Sequence, residues 1–390
     1  MNELEQLRQK IDRIDRKLLP LFLERMEVCS QVAEYKRTVG MPVLDSARES
    51  QVLEHKLKLL EELGKDEDMR GEVYDFFHAI MSISRIRQTR ELTGHNGRAR
   101  MEELLAKVKQ RKTMPTVCYF GSEGSYSEEA AIEYFGEDIS RISAKTFADA
   151  FQILTEDSAD YLVVPIENSS TGTIQEVMEL LLKHQCYLVG EEKIAIRHCL
   201  LGVEGATLND VKTVYSHEQG ILQCGDFLHS LNGVVCEEYY STALSAKAVA
   251  DKRDKSFAAI AAKRNAKRLG LEILAENINN SSVNTTRFAI VAKAPEIDAA
   301  CNKVSIAFTL PHESGELHRL LACFAQEGLN LLKLESRPIA SKPFEYMFLA
   351  DFSGNLLDTT VREVTNSVIE GTQEFTLLGN YRAKDTEESM

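Results

Sequence analysis

No stretch of this chain approaches the roughly 20 consecutive apolar residues that a membrane-spanning helix requires, so no membrane partner is expected. The first residues, MNELEQLRQK, contain no apolar run ahead of a cleavage site, which argues against a secretory signal and for a cytoplasmic protein. No glycine-rich dinucleotide fingerprint and no P-loop occurs, so nicotinamide and nucleotide chemistry lack their usual sequence support. The eight cysteines, at 29, 118, 186, 199, 224, 236, 301 and 323, form no CxxC pair, and no two histidines stand at metal-ligand spacing on a helix. No metal and no other cofactor is therefore expected, and the thiols read as reduced and mostly buried. Positive charge is also short: 46 Lys and Arg against 60 Asp and Glu give a net charge of -14. That balance repels phosphate backbones and anionic bilayers and excludes nucleic acid as a partner.

What is present is 390 residues, 44% of them hydrophobic, a length that suggests two to four globular domains. Three rhythms divide them. Residues 1–92 read as helix throughout. Leu4, Leu7, Ile11, Ile14, Leu18 and Leu21 follow the three-four spacing of one long apolar seam. A second helix is expected from Ser46, and a third over 72–92 with Phe76, Ile80, Ile83 and Ile86 as its apolar stripe. Three helices make a thin core, so a helical homodimer, or a higher homo-oligomer, is the natural way to bury these stripes. Pro20 should kink the first helix. Residues 93–115 read as a linker around one short helix. From Thr116, β-rich runs alternate with helices: VCYF, YLVVPI, KIAI, TVYS, AAI and RFAIVA. This is the pattern of an α/β domain with a largely parallel sheet. After Pro295 the order becomes βαββαβ, a ferredoxin-like α+β unit over 303–385.

In the helical segment, Arg25 and Lys36 stand 11 residues apart, three turns, and so project from nearly one face. Arg8 points about 100° away and is placed to serve a partner's pocket. Asp45, Arg48 and Glu49 are spaced to share a face at the start of the second helix, and Ser84 and Gln88 form an i, i+4 pair on the third. The segments LRQKID, ERMEVCSQVAEYK, DSARE and SRIRQ that hold these residues resemble the all-helical class of chorismate mutase. The resemblance implies that Arg25, Arg48 and a partner's Arg8 hold the substrate carboxylates. It implies that Lys36 and Gln88 donate to the ether oxygen, and that Glu49, with Asp45 and Ser84 nearby, orients the ring hydroxyl. A pericyclic rearrangement needs a held conformer and charge stabilisation at the breaking C–O bond, without a nucleophile.

In the middle segment, GSEGSYS reads as a glycine turn into a helix. PIENSSTG repeats the scheme, with Asn168, Ser169, Ser170, Thr171 and Thr173 crowded at a helix start where free N–H groups favour an anion. N-capping explains one polar side chain per helix comfortably, and five less so. These motifs, with YSHEQGILQC, STALSAKAVA and NTTRF, resemble prephenate dehydratase over 116–293. A two-lobed, binding-protein-like fold is implied, with lobe one at 116–192 plus 278–293 and lobe two at 193–277. The resemblance implies that Thr286 donates to the leaving hydroxyl, that Arg287 binds a carboxylate, and that Asn168, Ser169 and Thr171 complete the cradle. A threonine is a poor general acid, so hydrogen-bond donor is the safer description. His217 has the right type for proton transfer, with a structural loop histidine as the plainer reading. Glu218 and Arg268 depart from the family pattern.

Residues 303–385 resemble the ACT regulatory domain through Gly315–His318 (GELH), Asn330 and Glu335–Pro338 (ESRP). The effector implied is L-phenylalanine, contacted by Gly315, Leu317, His318, Asn330, Glu335 and Ser336. Glu316 departs from the family pattern. Together the three segments resemble the bifunctional chorismate mutase/prephenate dehydratase family, which implies conversion of chorismate to prephenate and then to phenylpyruvate under feedback inhibition. Two other readings stay open: a dehydratase whose helical segment only dimerises, and a non-catalytic amino-acid or carboxylate sensor.

Overall fold

The computed structural model describes residues 2–41, 45–64, 69–281, 283–310, 315–339 and 342–384. Three helices come first: α1 (Glu3–Val39), α2 (Ser46–Glu62) and α3 (Arg70–Ala106). Helix α1 starts in a capping box. The Asn2 side chain accepts the Glu5 N–H, and the Glu5 carboxylate accepts the Asn2 N–H, so two otherwise orphaned donors are satisfied. The helix is uninterrupted at Pro20. Its expected apolar seam is not buried within one chain. Leu4, Leu7, Ile11, Ile14, Leu18 and Leu21 are each 43–63% exposed.

Two expectations for α3 are corrected. The buried face is Met81, Ser84, Arg85 and Gln88, spaced i, i+3, i+4, i+7, while Phe76 and Ile83 face outward. Ile80 is half-buried, and the Ile86 side chain lies outside the described residues. The face is decided by what the other two helices offer: ion-pair and hydrogen-bond partners for a polar row. Residues 93–106 are also no linker, because α3 runs on to Ala106. The physical reason is a second docking site at its far end. Met101, 2% exposed, enters the core of the C-terminal unit with Leu104 and Leu105 packed beside it, and Arg100 donates to the Phe375 carbonyl at 2.7 Å.

The middle of the chain forms two sheets. The first is entered through β1 (Thr116–Phe120), α4 (Tyr126–Phe135), β2 (Ser140–Ala144), α5 (Phe147–Thr155), β3 (Tyr161–Asn168), β4 (Gly172–Thr173), α6 (Gln175–Lys183) and β5 (Tyr187–Ala195). The chain then crosses into a five-stranded sheet of order β10-β6-β9-β7-β8. Its elements are β6 (His198–Gly202), β7 (Thr213–Ser216), α7 (Glu218–Gln223), α8 (Gly225–Ser230), β8 (Val235–Glu238), α9 (Thr242–Lys252), β9 (Phe257–Ala262), α10 (Arg264–Leu269) and β10 (Glu272–Ala275). It returns through β11 (Thr285–Ala292), which inserts antiparallel between β3 and β5. The sheets are therefore mixed rather than largely parallel, since β6 also runs antiparallel to β9 and β10. A strand that re-enters a sheet from the far side must run against its neighbours.

The last unit is β12 (Lys303–Thr309), α11 (Glu316–Gln326), β13 (Leu331–Ile339), β14 (Lys342–Ser353), α12 (Thr359–Gly371) and β15 (Glu374–Tyr381). It has the expected βαββαβ element order. Its strands continue the first sheet into one of ten strands, ordered β13-β14-β12-β15-β5-β11-β3-β1-β2 with β4 on β3. The seam is a single pair, Gly379 against Leu188. A Cβ at 379 would collide with the Leu188 carbonyl, so only glycine allows the two units to join edge to edge. Ala307, Leu349, Leu378 and Tyr381 then share a core with Leu162, Leu188 and Ala289. No helix among the described residues is long and apolar enough to cross a membrane.

Candidate active sites

Between α1, α2 and α3 lies a polar cluster. Arg25 of α1 donates to Ser84 of α3, and Arg85 of α3 forms an ion pair with Glu49 of α2. Ser84, Arg85 and Gln88 are buried, and Gln88 Oε1 and two guanidinium nitrogens of Arg85 have no hydrogen-bond partner among the described residues. Buried polar atoms without partners are costly, so such a row suits a polar ligand. Lys36 is half-buried on the same helix as Arg25. Asp45, Arg48 and Arg8 take no part in these contacts. Asp45 is the N-cap of α2 and accepts the Arg48 N–H at 2.9 Å, and the Arg48 side chain is exposed. Arg8 is exposed, about 25 Å along the helix from Arg25. Arg85 was not anticipated; its position in SRIRQ, one residue after Ser84, was the available signal.

In the middle unit, Thr286 of β11 and Asn168 of β3 are directly opposite each other. Both are buried, Thr286 at 7% exposure. Asn168 Oδ1 accepts the backbone N–H groups of Ser170 at 2.9 Å and Thr171 at 3.3 Å. Its Nδ2 must then be the donor, to Thr286 Oγ1 at 2.8 Å and to Asn284 Oδ1 at 2.9 Å. Because Thr286 Oγ1 accepts from Asn168, its own O–H is left to donate elsewhere. Asn284 in turn donates to Gln223 Oε1 at 3.0 Å, which brings lobe-two helix α7 into the same network. Gln223 and Asn284 were missed, and no spacing in the sequence links them; only the return of the chain through β11 does.

The hydroxyl-rich stretch after Asn168 is a hairpin turn between β3 and β4, not a helix start. Gly172, at φ 79°, supplies the left-handed residue the turn needs, and α6 begins only at Gln175 with Ile174 as its N-cap. Ser169 is exposed, its Oγ accepting the Thr285 N–H at 3.0 Å, and Thr171 contributes its backbone N–H. The earlier motif follows plain capping, with Ser125 accepting the Glu128 N–H at the start of α4. His217 caps α7 in the same way, through Nδ1 to the Gln219 N–H at 3.3 Å. Arg268 pairs with Glu123 across the lobes at 3.1 Å.

Arg287 is the main correction. Neighbours on a strand point to opposite faces, so Arg287 turns away from Thr286. It meets Glu167 at 2.9 Å, Asp351 at 3.0 Å and Glu191 at 3.2 Å. Lys303 adds a bond to Glu191 at 2.8 Å, and Ser305 donates to Asp351 at 2.6 Å. Burial would lower the Arg287 pKa, but the surrounding acidic groups outweigh it and hold the guanidinium charged. Likewise, burial raises the Asp351 pKa, but Arg287 and Lys303 hold it below the usual carboxylate range.

The expected effector residues are divided by the same alternation. Glu335 faces the middle unit, accepting from Thr173 Oγ1 at 2.7 Å and from Arg337 at 2.6 Å, while Ser336 is exposed on the other face. Lys333 links the two groups, bonding Glu167 and Thr173 at 2.7 Å each. Gly315 immediately precedes α11, Leu317 and His318 lie in its first turn, and Glu316 pairs with Arg319. Asn330 is exposed and bonded through its backbone to Ser353.

Comparison with known proteins adds the following. A sequence model of the family described as prephenate dehydratase matches residues 117–296, and one described as chorismate mutase type II matches residues 7–89. The bifunctional chorismate mutase/prephenate dehydratase of Aquifex aeolicus (strain VF5) is 31% identical over 382 residues, covering 98% of each chain. That of Escherichia coli (strain K12) is 33% identical over 392 residues, covering 98% of this chain and 97% of the relative. Among solved structures, prephenate dehydratase from Arthrobacter aurescens in complex with L-Phe is similar at 27% identity and a TM-score of 0.62, over 68% of this chain and 90% of that one.

Proposed function

The chain belongs to the family of bifunctional chorismate mutases/prephenate dehydratases, and on that premise we propose how its residues divide the work. It converts chorismate to prephenate in the helical segment and prephenate to phenylpyruvate in the two-lobed one. One observation carries the reading: the two family matches fall on separate residues, 7–89 and 117–296, and each part holds its own polar cluster.

In the first step one C–O bond breaks and one C–C bond forms, with no proton transferred. Arg25, with Arg48 and a partner's Arg8, binds the substrate carboxylates. Lys36 and Gln88 donate to the ether oxygen as charge grows on it, and Glu49, held by Arg85, orients the ring hydroxyl. Asp45 supports this group as the cap of α2, and Ser84 as the partner of Arg25. The exposed seam of α1 is the surface on which a second copy packs, which makes the working unit at least a homodimer.

In the second step the bond between the ring and its carboxylate breaks, and CO2 leaves. The electron pair completes the aromatic ring and expels the ring hydroxyl, which leaves as water after taking up one proton. Thr286 donates a hydrogen bond to that hydroxyl. Asn168 orients it by donating into Oγ1, and Ser169 and Thr171 shape the turn that holds Asn168. Arg287 is assigned to the strand that carries Thr286 rather than to the substrate.

The C-terminal unit is read as an ACT domain that binds L-phenylalanine through Gly315, Leu317, His318, Asn330 and Ser336, with Glu335 relaying the state of that domain to Thr173. The chain is read as cytoplasmic. The test is one assay: purified protein with chorismate, following prephenate and phenylpyruvate, with and without phenylalanine. Phenylpyruvate formed from chorismate alone, and suppressed by phenylalanine, is expected. Turnover of prephenate but not chorismate would remove the mutase assignment, and full activity in saturating phenylalanine would remove the effector.

A further inference from the structure

The network that reaches Thr286 does not end at Gln223. Gln223 Oε1 also lies 3.2 Å from Nε2 of His198, and Nδ1 of His198 lies 3.3 Å from the Tyr126 hydroxyl. His198 is 3% exposed and opens β6, directly after the chain leaves the first lobe. Its backbone is fastened to the returning segment between β10 and β11, with its N–H on Asn279 Oδ1 at 2.7 Å and its carbonyl accepting from Ile278. The imidazole therefore spans the crossover, with Tyr126 of lobe one on one nitrogen and Gln223 of lobe two on the other.

The polarity of the whole chain follows from two backbone groups. Peptide N–H groups of Ser170 and Thr171 can only donate, so Asn168 presents its carbonyl to them and its NH2 to Asn284 and Thr286. Asn284 then presents its NH2 to Gln223, whose carbonyl oxygen must accept. The Gln223 carbonyl can only accept, so Nε2 of His198 carries the proton and Nδ1 is left with its lone pair facing the Tyr126 hydroxyl. The single proton of that hydroxyl lies between Nδ1 and the Arg197 carbonyl at 3.0 Å. Burial agrees, lowering the His198 pKa to about 4 against a smaller opposing effect of Gln223, so the ring is neutral. With its carbonyl held from both sides, Gln223 keeps its NH2 for another partner; none is found among the described residues.

We propose that His198 is a positioning residue of the dehydratase: its Nε2–H holds the Gln223 carbonyl against Asn284 and so presents the Gln223 NH2 to the site that Thr286 serves. The inference rests on the dehydratase reading above. Its action is indirect, through Gln223, and that is what separates it from a histidine that only fills space.

The test uses the full chain and prephenate as substrate, with mutase turnover and a thermal melt on the same samples. H198F removes the donor and is expected to lower dehydratase kcat/KM by about 10- to 100-fold, the size associated with an unmet buried amide. H198Q, whose amide N–H reaches the position of Nε2, should recover most of that loss, while H198N, whose amide sits where Nδ1 was, should not. In a Q223A background H198F should cost less than about twofold more, because the two changes remove one interaction. The proposal is overturned by wild-type turnover in H198F, by an undiminished H198F effect in Q223A, or by H198N matching H198Q. If H198F does not fold, the Gln and Asn pair decides alone. Wild-type protein that fails to turn over prephenate would instead strike the dehydratase reading itself.

Discussion

Strands β3 and β11 carry two polar clusters back to back, and they are built from opposite materials. On one face Asn168, Asn284, Gln223 and Thr286 are all uncharged and joined by hydrogen bonds whose direction is set by peptide N–H groups. On the other face Glu167, Glu191, Asp351 and Glu335 balance Arg287, Lys303, Lys333 and Arg337. The residues responsible are sequence neighbours: Asn168 beside Glu167, Thr286 beside Arg287. A neutral, directed network can leave one hydroxyl proton and one amide free for a substrate. The ionic network pairs each charged group with an opposite one and serves to fasten the C-terminal unit to the sheet. The comparison teaches that adjacency along a strand separates functions as sharply as distance does.

The largest expected effect is on the neutral face. Thr286→Val should lower prephenate turnover by about 10²- to 10⁴-fold while chorismate consumption stays at the wild-type rate; a dehydratase within twofold of wild type would break the comparison. On the ionic face, Arg287→Met leaves the buried carboxylates of Glu191 and Asp351, and the half-buried one of Glu167, short of a cation. It should cost about 3–5 kcal/mol, seen as a lower urea midpoint by circular dichroism. An unchanged midpoint with lost turnover would move Arg287 back to the substrate side.

The next effect depends on pH. His198 titrates near 4 when folded and near 6.5 when unfolded, so between those values the unfolded chain binds the extra proton. Stability from this group is present above about 6.5 and is lost as pH falls toward 4, by about 3 kcal/mol in total. Urea titrations of wild type and H198Q should diverge across that window, and parallel curves would remove the buried neutral imidazole. The smallest effect belongs to the rim of the ionic face. Glu335→Gln loses charge-assisted bonds to Lys333 and Arg337 but keeps an acceptor for Thr173, and should cost about 1 kcal/mol. A loss as large as that of Arg287→Met would show that the rim and the buried centre act as one unit.

Much of this architecture was legible in the residues. The seam of α1, the start of α2 at Ser46 and the order of the last six elements are local patterns that can be read without a fold. The period-2 alternation of a strand also separates Thr286 from Arg287 and Glu335 from Ser336 on the sequence alone. Gly172 was the signal that the serines and threonines before it belong to a hairpin turn.

Other features depended on partners far away in the chain. Which face of α3 is buried rests on Arg25 and Glu49 meeting Ser84 and Arg85, and the extension of α3 rests on the core that Met101 enters. By itself the sequence determined the three opening helices, the order of the last six elements, and which residue types gather in each motif, because these follow from local sterics, periodicity and composition. Only the tertiary structure decided that Arg287 is neutralised by carboxylates, and that His198, Gln223, Asn284 and Asn168 form one directed chain to Thr286. Hydrogen-bond direction and charge balance are properties of groups brought together by a returning strand, and no local pattern encodes which groups those are.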